Sequence, residues 1–347
     1  MFVSAIVSVE ESSGEVEGGQ AKAGGVRLGT SLPCVEVLGA SAVERTIQRL
    51  RAFAAVKHIS LVTPESTSPL GRKRAAHRGV TVVHQPLDRW PVPDILEKHA
   101  LPGVDKVLFI RLGSYVEIDF EDLLQFHQES GSPITRVHHA DGPLDIWMID
   151  VNPARPGTVN FCWPLVSGVC SGTPYSCSGY VNPLKDAHDL RRLVVDSFLG
   201  RNRITPGGRE TKPGVWIEDS AHVHHGARVV APAYIGGAAK VRASALITRF
   251  SNIEHDCEVG PGTAVKGSTI LPYTGLGRSL CIARALVDGN RLIHLVRNIS
   301  VEIEDPKLLR RTVQIKPRPV QVPAMGLGRM PAPEMSTGSL NFSEGEL

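Results

Sequence analysis

Long apolar runs are missing from this chain. No stretch of its 347 residues approaches the about 18 consecutive apolar residues that a membrane span requires, so no spanning helix is expected. No export signal is expected either. The segment MFVSAIVSVEESSGE has no basic stretch ahead of its apolar run and turns acidic at once, which argues against a secretory leader and for a cytoplasmic protein. Neither sign of charge is in large excess: a formal net charge of +3 gives no electrostatic case for nucleic acid. Paired cysteines are absent as well. Cys34, Cys162, Cys170, Cys177, Cys257 and Cys281 contain no CxxC, and the steps of eight and seven among Cys162, Cys170 and Cys177 match no common zinc spacing. Free thiols are expected, and no metal site.

What the chain does have is a repeat. From Ile217, steps of six residues give Val223, Val229, Ile235, Val241, Ile247, Ile253, Val259, Val265 and Leu271. Four residues after each comes a small one: Ala221, Ala227, Ala233, Ala239, Ala245, Ser251, Cys257, Thr263, Thr269 and Gly275. A helix repeats every 3.6 residues and a plain strand every 2, so neither makes this pattern. It is the hexapeptide pattern of a parallel β-helix, with one aliphatic side chain inward per short strand and a small residue at each corner. Past Leu271 the phase slips, yet Leu276, Ile282, Val287, Ile293 and Ile299 continue as inward-looking aliphatics, expected to form irregular closing coils.

The first 200 residues have a different rhythm. FVSAIVSV, HISLV (58–62), VTVV (80–83), KVLFI (106–110) and DIWMIDV (145–151) read as buried strands. Ser41 and Glu44 form a capping box ahead of a helix with Val43, Ile47, Leu50 and Ala54 on one face. Asp119 caps FEDLLQFHQES, which stops at Gly131. Asp186 starts a third helix that buries Leu190, Leu193 and Val194 and stops at Gly200. Strands alternating with helices predict an α/β half with a parallel sheet, and ligands of such sheets bind at strand ends, here near Gly113 and Ser114. The cluster Arg72, Lys73, Arg74, His77, Arg78 reads as a solvated face or as a contact to a phosphate-bearing ligand. The boundaries expected are an α/β domain over 1–200, a linker over 201–214, the β-helix over 215–315, and a Pro-rich disordered tail over 316–347.

Three passages carry a resemblance. LPCVEVLGASAVERTIQRLRAF, VLFIRLGSYVEIDFEDLLQFH and STILPYTGLGRSLCIARALVDGNRLIHL resemble the corresponding runs of the sugar-1-phosphate nucleotidyltransferases (NDP-sugar pyrophosphorylases). The resemblance covers nearly all of the chain except the tail. It implies an N-terminal nucleotidyltransferase-like domain (Rossmann-like, GT-A type) followed by a left-handed parallel β-helix.

The chemistry of that family is poorly matched. Its GGxGTRL loop, which cradles the nucleotide phosphates with backbone N–H groups, would directly follow the first strand, where this chain has SVEESSGE. The nearest echo, Gly24, Gly25 and Arg27 in GGVRL, comes some fifteen residues late. The family's Lys-Pro aligns with Leu32-Pro33, and its Gly-Asp turn, whose carboxylate holds Mg²⁺, aligns with Gly113-Ser114. Glu117 and Asp119 are the nearest carboxylates, but Asp119 is a helix cap. Losing lysine, loop and metal ligand together lowers a phosphoryl-transfer rate by many powers of ten.

The resemblance therefore implies a catalytically degenerate homologue that binds a nucleotide sugar or sugar phosphate, or serves as a regulatory or scaffolding subunit in nucleotide-sugar or polysaccharide metabolism. Its partners would be further copies of itself or an active paralogue. One alternative is a working enzyme with a rearranged site that uses Mg²⁺. The other is suggested by IEHDC (253–257), similar to a corner of hexapeptide acyltransferases: His255 would be a general base, with His222, His224 and His225 on a nearby face, or else all four are exposed corner residues.

Overall fold

The computed structural model describes residues 2–9, 31–63, 79–84, 103–151 and 173–312. Gly24, Gly25, Arg27, the Arg72–Arg78 cluster, Cys162, Cys170 and the tail over 316–347 lie outside the described residues.

The apolar β-branched runs become a seven-stranded mixed sheet. Its strands are β1 (Val3–Ser8), β2 (Val56–Thr63), β3 (Val80–His84), β4 (Lys106–Arg111), β6 (Ile134–His139), β7 (Gly142–Asp150) and β8 (Thr173–Ser176), in the order β3-β2-β1-β4-β7-β6-β8. Strands β1 to β4 pair in parallel, β7 joins β4 antiparallel, and β6 pairs antiparallel with β7 and parallel with β8. A two-stranded ribbon of β5 (Tyr115–Val116) and β9 (Val181–Asn182) lies apart from it. β3 is not the buried strand its valines suggest: it ends the sheet, and Val82 is 36% exposed.

The helices start and stop where local chemistry dictates. α1 (Ala42–Ala52) opens on the full Ser41/Glu44 capping box. α2 (Phe120–Ser130) starts where the Asp119 carboxylate accepts from the N–H groups of Glu121 and Asp122, and it stops at Gly131 in the left-handed conformation. α3 (Ala187–Phe198) is capped in the same way by Asp186. No helix among the described residues is long and apolar enough to cross a membrane.

The repeat half consists of short strands in three sheets. Val215–Ile217, Ala233–Ile235 and Ser251–Ile253 stack in parallel on one face, His222–Val223, Lys240–Val241 and Glu258–Val259 on a second, and Arg228–Val229, Leu246–Thr248 and Ala264–Lys266 on a third. Partners in register lie eighteen residues apart, as in Ile217↔Ile235↔Ile253, which is compatible with the expected β-helix. Ile235, Val241, Ile247, Ile253, Val259 and Val265 form its apolar interior.

One position of the repeat is a coincidence. From Ile253 the partner is Ile270, and from Val259 and Val265 the partners are Leu276 and Ile282, so the step has dropped to seventeen. The corner after Lys266 is one residue shorter than the corner after Thr248: Gly267 turns the chain at φ +57 where Arg249 and Phe250 both take positive φ. Leu271 therefore leaves the coil interior and packs with the α/β half instead. The chain closes with antiparallel strands rather than further coils: Arg291–His294 on Ala285–Asp288, then Ile299–Glu302, and Leu309–Arg311 against Thr274–Leu276. Ile299, expected to point inward, is 49% exposed. The polar segment before the repeat is also structured, since Arg209–Lys212 pairs antiparallel with Val215–Ile217.

The two halves share apolar packing. The large cluster that contains β1, α1 and α3 side chains also takes in Tyr234, Leu271, Leu286 and Ile293. Phe198 of α3 lies 5.8 Å from the Trp216 ring and 6.3 Å from Phe250, so the longer corner brings an aromatic residue onto the helix.

Candidate functional site

A cleft of about 700 Å³ opens at the C-terminal end of β4. Leu112 donates its N–H to the Ser8 carbonyl, tying the turn after β4 to the end of β1 and leaving Gly113 and Ser114 on the cleft wall. The β6–β7 hairpin adds His139, Asp141 and Asp145, the segment around β9 adds Tyr180 and Lys185, and α3 adds Arg192 and Asp196. This passage, where sequence periodicity fades, is held by a close approach at Gly179: a Cβ there would lie 1.7 Å from the Glu117 carbonyl oxygen.

Two of the three described cleft carboxylates have a guanidinium partner, and the third, Asp141, is exposed beside His139. Asp145 lies 3.2 Å from the Arg136 guanidinium, and Asp141 lies 3.1 Å from His139. Asp196 accepts from the Tyr180 hydroxyl at 2.8 Å and pairs with Arg201 at 3.0 Å. Burial and that carboxylate push the Tyr180 phenol up to about 12. Glu117 is buried, accepting from the Tyr115 hydroxyl and the Arg203 N–H, while Asp119 caps α2, so neither turns to the cleft as a metal ligand. Ser114 offers a hydroxyl where a carboxylate would hold Mg²⁺, and no group of three or more His, Cys, Asp or Glu among the described residues could hold a metal. The described residues of the cleft therefore do not fit the ion. For a ligand the cleft does offer cations, Arg192 at 3.1 Å from Asp189 and the exposed Lys185.

His255 sits at the junction of the two halves, only 8% exposed, and is no solvent-facing corner residue. Its Nδ1 is 2.9 Å from Asp256 and its Nε2 is 3.0 Å from Glu36, which precedes α1. Burial by itself lowers its pKa, but the Glu36 and Asp256 carboxylates outweigh that and push it up to about 9. An imidazole that keeps its proton at neutral pH is a salt-bridge partner rather than a general base. His222 starts a strand on the second face, and His224 stacks on His225 at 4.2 Å, so those histidines are separate from His255 in the coil.

Next to His255, Glu254 is fully buried and holds the turn before α1. Its carboxylate accepts from Leu38 N–H at 2.8 Å, Gly39 N–H at 3.2 Å and the Asn252 amide at 2.7 Å. Arg45 of α1 donates to the Val37 and Leu38 carbonyls, so this one turn is gripped from both halves. Burial pushes Glu254 up to about 7, with those three donors limiting the rise. Asn252 continues the chain to Arg191 of α3, whose guanidinium also donates to Phe250 O and Thr269 Oγ1. With no carboxylate among the described residues in contact, burial lowers Arg191 to about 10.

A second constellation imitates a hydrolytic triad. His127 Nδ1 lies 2.7 Å from Thr135 Oγ1 and Nε2 lies 3.2 Å from Asp150 Oδ1, and Lys106 also binds Asp150. Both His127 and Thr135 are buried, so no substrate reaches them, and burial lowers the histidine pKa. It is a strut between α2 and the sheet.

Sequence reasoning placed Gly113 and Ser114 on the cleft but missed Tyr180, Lys185, Arg192 and Asp196, which lie 66 to 83 residues further along. It also missed Glu36 and Glu254, whose only signal was an acid inside an otherwise apolar or small-residue run. Of the four described cysteines Cys34, Cys177 and Cys257 are withdrawn from solvent and Cys281 is exposed, and all four are free thiols. No family model matches the chain, and no curated protein matches it.

Proposed function

We propose that this chain is a sugar nucleotidyltransferase-like protein of cytoplasmic nucleotide-sugar or polysaccharide metabolism, catalytically degenerate, which binds a nucleotide sugar or sugar phosphate as a regulatory or scaffolding subunit. In this reading the first half is a Rossmann-like, GT-A type domain, the coil is a left-handed β-helix, and the protein works as a homo-oligomer or beside an active paralogue. The observation that carries it is the cleft at the end of β4, with Gly113 and Ser114 on its wall and two of its three described carboxylates, Asp145 and Asp196, paired with arginines. A cleft at the strand ends of an α/β sheet supports ligand binding. Asp145 and Asp196 held by arginines and a serine in the metal position speak against in-line phosphoryl transfer, which needs a cation clamp across the reacting phosphates.

Calorimetric titration of the full chain with a panel of sugar 1-phosphates and nucleotide sugars tests the reading. Saturable binding is expected, weakened about tenfold by Lys185→Ala or Arg192→Ala, the loss of one charge-assisted contact. Pyrophosphate release from nucleoside triphosphates, sugar 1-phosphates and Mg²⁺ is expected to stay at background. Turnover in the ordinary enzyme range would replace this reading with that of an active, rearranged transferase.

A further inference from the structure

We infer that the second face of the coil carries an anion site for a phosphate monoester, separate from the cleft and independent of the function proposed above. A groove of about 460 Å³ runs between the first two coils, lined by Ala221, His222, Val223, His224, Lys240, Val241 and Arg242. Val223 and Val241 turn inward to the coil core, so strand alternation sends His222, His224, Lys240 and Arg242 to the groove side.

Their spacing is set by backbone pairing. His222 is in register with Lys240, and the His224 N–H bonds the Val241 carbonyl, so the two coils run side by side. Neighbouring strands lie about 4.8 Å apart and alternate residues about 6.6 Å along a strand. The four basic side chains thus rise from the corners of a rectangle of about 5 by 7 Å, the right scale to surround one phosphoryl group whose oxygens accept charge-assisted bonds at about 2.8 Å.

Donor direction is also fixed. The Gly226 N–H bonds His224 Nδ1 at 3.0 Å, which leaves Nε2 carrying the proton, and stacking on His225 at 4.2 Å restrains the ring. Arg242 is steadied from below by Glu258, which accepts from its Nε at 3.1 Å and its Nη2 at 2.7 Å. Glu258 is shared with Arg310, and the two guanidiniums hold its carboxyl below the usual range. One acid thus serves two arginines, and Lys240 adds a further positive charge. The groove keeps a net positive charge without counting its histidines.

The test uses selective ¹⁵N-histidine labelling of the full chain, with signals assigned by His222→Gln and His224→Gln, and inorganic phosphate as the probe against chloride of equal ionic strength. The expected result is a saturable shift of the His222 and His224 signals, with affinity reduced at least tenfold in Lys240→Glu and Lys240→Ala and unchanged in Arg192→Ala. A shift that does not saturate, that persists in both Lys240 variants, or that disappears in Arg192→Ala would overturn the site. Lys240 is exposed, so its replacements leave the fold intact, and failure of the cleft to bind sugar phosphates would not alter these signals.

Discussion

At Gly39 the backbone runs at φ +85, and a Cβ would lie 2.7 Å from the Tyr234 hydroxyl and 3.0 Å from Glu218 Oε1. Two penalties therefore fall on one atom: the left-handed conformation, about 1 kcal/mol for a residue other than glycine, and overpacking against a buried tyrosine, about 1–3 kcal/mol. Gly131 also has positive φ but faces open space. Gly39→Ala should accordingly cost about 3 kcal/mol and Gly131→Ala about 1 kcal/mol, read from urea midpoints of the two variants. Equal losses would mean that the Tyr234 contact is not tight. In the sequence Gly39 is merely a residue two before a helix cap, because the atoms that exclude a side chain belong to residues about 180 or more positions away. The Ser41/Glu44 box, in contrast, was legible since both partners sit within one turn.

Between elements, the turn before α1 and the coil corner at Glu254 and His255 form a pH-sensitive junction. Both groups hold protons more tightly folded than unfolded: Glu254 moves from 4.5 to about 7 and His255 from 6.5 to about 9. The native state thus binds the extra protons, and stability falls as pH rises through each window. The His255 contribution is complete below pH 6.5 and lost by about pH 9, while ionising buried Glu254 weakens the fold between pH 4.5 and about 7. Each window spans about 3 kcal/mol at 1.36 kcal/mol per pKa unit. Denaturation midpoints should therefore decline from about pH 5 to pH 9. Glu254→Gln should flatten the lower part and His255→Gln the upper, and an unchanged lower slope in Glu254→Gln would remove that carboxyl as the cause. The helices and most of the long strands were legible because caps and periodicity are local signals, but the six-residue β6 (Ile134–His139), with Arg136, His138 and His139 breaking its apolar run, was not. β5, β8 and β9 were not, being two to four residues long, and neither was the seventeen-residue step at Gly267, since Leu271 happens to keep the six-residue count.

For the molecule from Phe2 to Thr312, shared packing decides whether the halves unfold together. Tyr234, Leu271, Leu286 and Ile293 of the coil complete the core of the α/β half, and the chain of contacts from Arg191 through Asn252 and Glu254 to Leu38 crosses the same boundary. The coil, in turn, has an interior of its own. The sheet has one as well, where Ile6, Phe109 and Trp147 pack together, but the coil's is the larger, so the α/β half is expected to melt first. Scanning calorimetry of the intact chain should show one transition. Arg191→Ala combined with Glu254→Ala breaks a buried polar network, a loss of about 3–5 kcal/mol, and should split the melt, with the earlier transition about 10 °C lower and assigned to the α/β half by loss of the near-ultraviolet signal of Trp147. Two transitions in the unmodified chain would show that the shared core does not couple the halves. A single lowered transition in the double variant would show that apolar packing couples them without the polar chain. In either case the cleft at β4 and the groove on the coil belong to halves joined at Glu254, whose carboxylate holds the Leu38–Gly39 backbone turn across the boundary.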